Sequence, residues 1–185
     1  ILTGTPDITF FKSSYRQYTN FSMDSILQNY NGLAENGGRL VCTIARQGDL
    51  LLDVFVEHEA GAADDNVGCA NPGTALFNTV ELEIGGQPID KLYGHWMEVW
   101  FELTQPNPAN CMNTASVPIV EANRFACSSG NATQFQRMAA CGGLKGKNVK
   151  HEVMFIPLPF YFTKAPGLAI PLISLQYHEV KLNIE

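Results

Sequence analysis

Charge is scarce in this chain. Asp, Glu, Lys and Arg make up only 16% of its 185 residues, against 45% hydrophobic ones, where about a quarter charged is usual. With so few solvating side chains, much of the surface suits contact with something other than water, as in an assembly subunit. A basic excess is missing too: 12 Lys and Arg face 18 Asp and Glu, a formal net charge of −6. A phosphate-binding face normally shows as the opposite imbalance, so DNA and RNA are excluded as direct partners of this domain. No stretch reaches the ~18–20 uninterrupted apolar residues that cross a bilayer. The most apolar region, 153–177, is cut by Pro157, Pro159, Pro166 and Pro171, which argues against membrane insertion.

The sequence also lacks the spacings that chemistry needs. Its five cysteines (Cys42, Cys69, Cys111, Cys127, Cys141) include no Cys-x-x-Cys pair, which excludes zinc ribbons, thioredoxin-like motifs and haem attachment. They read as buried small apolar residues in a reducing compartment. Three of the four histidines precede a glutamate (His58-Glu59, His151-Glu152, His178-Glu179). None forms the His-x-His of a strand site or the His-x-x-x-His of a helix site, so no metal ligands are assigned. There is no Gly-x-Ser-x-Gly elbow, and Gly85-Gly86 lies in no dinucleotide or Walker pattern. Glu81/Glu83 and Glu98/Glu102 read as solvated faces of a strand and a helix and not as acid–base pairs. No catalytic residue and no cofactor site are expected, and the chain is read as a non-enzyme. Two Asn-x-Ser/Thr triplets mark Asn20, in a strand-like stretch, and Asn131, in a Gly/Ser/Asn-rich loop, as candidate glycosylation sites.

What the sequence does have is alternation. Leu40, Cys42 and Ile44 share one face of a strand, and Leu52, Val54 and Val56 share one face of another. Gln47-Gly48-Asp49 between them reads as a hairpin connection. Val80, Leu82 and Ile84 alternate with Thr79, Glu81 and Glu83, a strand with one wet face. Near the end Ile173, Leu175 and Tyr177 hold odd positions while Val180, Leu182 and Ile184 hold even ones, a phase slip expected from a β-bulge at His178-Glu179. One segment breaks the pattern. In IDKLYGHWMEVWFELT (89–104) apolar residues recur at three- and four-residue steps, predicting an amphipathic helix with Asp90 as N-cap. Gly94 inside it implies a close backbone contact, and Trp96 and Trp100 are expected to anchor the helix to a sheet. Residues 58–77 and 105–148 lack any period and read as long contact loops.

Three blocks carry a family resemblance. TFFKSSYRQYTNFS (9–22), LEIGGQPIDKLYGHWMEVWFELT (82–104) and IPLPFYFTKAPGLAIPLISLQYHEVKLNIE (156–185) resemble the opening, middle and closing signatures of the major capsid proteins of nucleocytoplasmic large DNA viruses. On residues alone, 9–22 interleaves Lys12 and Arg16 with aromatics; the acidic balance makes it an aromatic-rich strand and not a nucleic-acid stacking surface. The resemblance implies an all-β fold: an eight-stranded jelly-roll sandwich of two antiparallel sheets, with one short helix at about 89–104 and long loops. Residues 1–185 would be the first of two jelly rolls. The strand pattern still running at Glu185, and the start at Ile1, suit a piece of a longer polypeptide. The implied role is a structural subunit of an icosahedral shell in the virion, assembled in the host cytoplasm. Its implied partners are two further copies in a pseudo-hexagonal homotrimer, neighbouring capsomers and minor capsid proteins. A jelly-roll carbohydrate-binding module using Trp96 or Trp100 is the alternative.

Overall fold

A computed structural model describes residues 19–59, 71–106, 133–141 and 153–185. Among the described residues nine strands form one five-stranded sheet and two two-stranded ribbons. The large sheet runs in the order β1 (Tyr30–Gly32), β2 (Leu40–Thr43), β9 (Val180–Ile184), β5 (Thr79–Ile84), β6 (Gln87–Tyr93). Its pairings are all antiparallel. The ribbons pair β3 (Leu50–Leu51) with β8 (Ile170–Pro171), and β4 (Phe55–Glu59) with β7 (Val153–Pro157).

Alternation explains the sheet directly. Val80, Leu82, Val180 and Leu182 are buried on one face, and Leu82 sits directly opposite Leu182 in the register. Each such side chain contributes about 1.5–3 kcal/mol on burial. Met154 and Ile156 of β7, with Leu158, Phe160, Phe162, Ile170 and Leu172 beyond it, belong to the same core. The other face is polar. Asn183 donates to Glu83 at 3.1 Å, and Lys91 lies 3.8 Å from Glu81.

Several expectations are corrected. Residues 89–93 belong to β6, and the helix is α2, Gly94–Thr104. Gly85 and Gly86 have φ of 59° and 83°, the left-handed pair of a two-residue hairpin turn. That turn commits the following residues to pairing with β5, which overrides their three- and four-residue spacing. Asp90 therefore caps no helix of its own: its Oδ2 accepts from the Tyr161 N–H at 3.2 Å, at the start of a 3-10 turn over Tyr161–Lys164. Gln47-Gly48-Asp49 is a crossover between sheets and not a hairpin, because β1 and β9 occupy both edges of β2 while β3 pairs with β8. The register irregularity falls not at His178-Glu179 but between Leu82 and Glu83, where β6 carries the extra residue Ile89. Residues 175–179 are not a strand at all, and Leu172–Ser174 is a 3-10 turn.

The single expected helix is joined by two short ones in regions read as loops, α1 (Pro72–Ala75) and α3 (Gln134–Met138). Thr133 opens α3 with a capping box: its hydroxyl accepts from the Gln136 N–H at 3.2 Å, and the Gln136 side chain accepts from the Thr133 N–H at 3.2 Å. α1 and α3 both rest on β7. No described helix is long and apolar enough to cross a membrane.

Candidate assembly surface

α2 is fixed by its small and polar residues. A Cβ on Gly94 would strike the carbonyl oxygens of Thr74 and Phe77, so the helix start lies directly on α1 and the turn after it. Met97 is fully buried below it. Phe101 stacks on Phe135 with centroids 4.0 Å apart, tying α2 to α3. Glu98 accepts from Asn71, and Glu102 accepts from Gln136 at 2.9 Å. The Gln105 carbonyl oxygen Oε1 accepts from the Phe135 N–H at 3.0 Å. The expected solvated carboxylates thus hold three helices together, and Glu81 and Glu83 serve the sheet in the same way.

With Gly94 and Met97 buried and Glu98 and Phe101 half-buried, Trp96 and Leu103 of the expected apolar face point outward. Trp96 is 45% exposed and Leu103 77%, with Val99 between them. Trp96 does not anchor the helix as its spacing suggested, whereas Trp100 is half-buried and meets Lys164 of the following 3-10 turn. A depression of about 280 Å³ continues this surface, lined by Trp100, Phe101, Phe55, Pro157, Pro159 and Lys164 among others. Phe55, Phe155 and Val153 are exposed on the β4–β7 ribbon. Trp100 carries the Lys164 ammonium 4.6 Å above its ring, and it is tilted 40° from Trp96. The pair makes no flat platform for a sugar.

A second apolar surface was missed in the sequence. The segment entering β1 exposes Phe21, Met23, Ile26, Leu27, Tyr30 and Leu33. Its signal was there to find: a single charged side chain, Asp24, between residues 19 and 33. Asn20 lies in this segment, exposed and outside any strand. Asn131 and most of 9–22 lie outside the described residues, as does His151.

The titratable residues do not converge. His95 and His178 are exposed, whereas His58 is half-buried in β4 with its Nδ1 covered and without a hydrogen-bond partner. Among the described residues no group of three or more His, Cys, Asp or Glu side chains could hold a metal ion. Burial pushes the Cys141 thiol up to about 11 and raises that of Cys42 as well. At neutral pH both are protonated and poor nucleophiles. The Lys181 ammonium, 2.8 Å away, holds the exposed Glu179 carboxyl below the usual carboxylate range.

Comparison with known proteins gives a consistent picture. A family model described as the major capsid protein N-terminus matches residues 9–185. A major capsid protein of Pyramimonas orientalis virus is 41% identical over all of this chain, which spans 42% of that protein. One from Paramecium bursaria Chlorella virus 1 is 38% identical over 98% of this chain and 36% of its own length. The chain therefore spans about two-fifths of the length of the curated relatives it matches. Among solved structures, PBCV-1 VP54, fitted into a reconstruction of the virophage Sputnik, superposes with a TM-score of 0.61. It is 35% identical, with 95% of this chain and 37% of that one covered. The relatives bear structural names and not enzymatic ones, and the mainly β fold with few helices is common to the chain and VP54.

Proposed function

The chain belongs to the major capsid protein family, through that family's N-terminal part, and on that premise we propose that it is the first jelly-roll body of a capsid shell subunit. The five-stranded sheet is read as one wall of the sandwich, and the β3–β8 and β4–β7 ribbons as parts of the opposite wall. The core residues of both pack in one cluster, as face-to-face sheets require. A second jelly roll would follow it in a polypeptide of the relatives' length. Three such polypeptides would close a pseudo-hexagonal capsomer, contacting neighbouring capsomers and minor capsid proteins in the virion, after assembly in the host cytoplasm.

The observation that carries this reading is the contrast between chemistry and surface. Asn71, Glu81, Glu83, Lys91, Glu98, Glu102, Gln105, Gln136 and Asn183 are engaged in ties between elements, while large apolar side chains on α2, on the β4–β7 ribbon and around β1 face outward. Burying apolar surface between subunits is the work such a surface suits. The carbohydrate alternative gains nothing from the tryptophans, since Lys164 covers one ring and the two planes are inclined. The proposal is tested by measuring the mass of the full polypeptide by light scattering. Three copies per particle are expected, and a monomer persisting at high concentration would overturn it.

A further inference from the structure

We propose that residues 19–33 form an intermolecular strap that lies on a neighbouring copy of the polypeptide. This rests on the shell-subunit reading and names one of its contacts. The segment runs into β1, which among the described residues is the outermost strand of the large sheet, with β2 as its one neighbour. Its hold on its own body is slight. β1 pairs with β2 through three residues, Tyr30, Asn31 and Gly32. Ahead of it, the Gln28 side chain accepts from the Ala45 N–H at 2.9 Å.

The side chains of the strap are turned outward. Phe21 is 70% exposed and Leu27 81%, and Met23, Ile26, Tyr30 and Leu33 are also exposed. At about 200 Å² for a fully exposed residue of this size, the six leave roughly 780 Å² of surface uncovered. That matches the ~800 Å² each partner contributes to a stable standard-size contact. One carboxylate in fifteen residues cannot keep such a segment solvated as a free tail.

The occupant is a second copy: the uncovered area is what one partner brings to a standard-size contact, and each copy offers unlike apolar surfaces at the two edges of the described sheet. The strap enters at β1, and the Trp96–Leu103 stripe follows β6 at the opposite edge. Copies meeting through unlike surfaces make head-to-tail contacts, the kind that close into a ring. A covered strap also leaves no room for a glycan on Asn20.

The test replaces Phe21→Ser and Leu27→Ser together in the full polypeptide. We expect the concentration at which particles of three copies form to rise at least tenfold, with far-ultraviolet circular dichroism and melting midpoint unchanged. A photo-crosslinker substituted at position 27 in otherwise unaltered protein should give a product of twice the polypeptide mass. If the variant assembles as the parent does, or the crosslinks stay within one polypeptide or go to a different protein, the strap inference fails alone. If the unaltered polypeptide is itself monomeric, the shell-subunit reading fails with it.

Discussion

Strand β9 and helix α2 are both rich in apolar residues, yet they spend them in opposite directions. In β9, Val180 and Leu182 point into the core while Lys181 takes the other face. In α2 the inward stripe is Gly94, Met97, Glu98 and Phe101, and the bulkier Trp96, Val99 and Leu103 face out. A strand between two neighbours has its inward face chosen by the pleat. A helix at the flank can rotate, and here close approach and hydrogen bonds decide its orientation. Glycine against the carbonyls of Thr74 and Phe77, and carboxylates meeting Asn71 and Gln136, outweigh the burial of Trp96 and Leu103 within this body. What the helix leaves uncovered is thereby available to another body.

Mutation can break or sharpen that contrast. Leu82→Ala, beside β9 and fully buried, should lower stability by about 2–5 kcal/mol through lost transfer and the cavity left behind. The check is the shift in the urea unfolding midpoint at unchanged slope. Gly94→Ala should cost less, about 1–3 kcal/mol, because the added methyl meets backbone that must shift. If it proves neutral or stabilising, α2 is not fixed by that close approach. Leu103→Ser, on the outer stripe, should change stability by no more than about 0.5 kcal/mol while lowering retention on a hydrophobic-interaction column. A large stability loss there would mean that the stripe is packed within this body after all.

The sheet was legible because alternation survives wherever one face is dry. Val80, Leu82 and Ile84 were placed correctly from their spacing, as were Leu40 and Cys42, whereas Ile44 lies just past β2 and Leu52 and Val54 fall between β3 and β4; Gly94 was correctly suspected of a close contact. The helix start was not legible. Ile89, Leu92 and Tyr93 fit a helical period, and only pairing across the Gly85-Gly86 turn decides for a strand. Ile173, Leu175 and Tyr177 imitate a strand, but a 3-10 turn and a bend separate them from β9, and Tyr177 is 93% exposed. α1 and α3 are too short for a period to show, and only the Thr133/Gln136 spacing marked one of them. The strap was overlooked because an exposed apolar run and a buried strand read alike in one dimension.

The position of β9 has a consequence for synthesis. β2 and β5 meet no other strand between them, so the middle of the sheet waits for residues 180–184. At ~5–20 residues per second, translation from β2 to β9 takes on the order of ten seconds. During that interval β1–β2 and, once residue 93 is made, β5–β6 each present an open inner edge to every other nascent chain on the polysome. Open edges of that kind are where pairing with a wrong chain begins, so cover by a holdase during those seconds would suppress aggregation before any question of assembly arises.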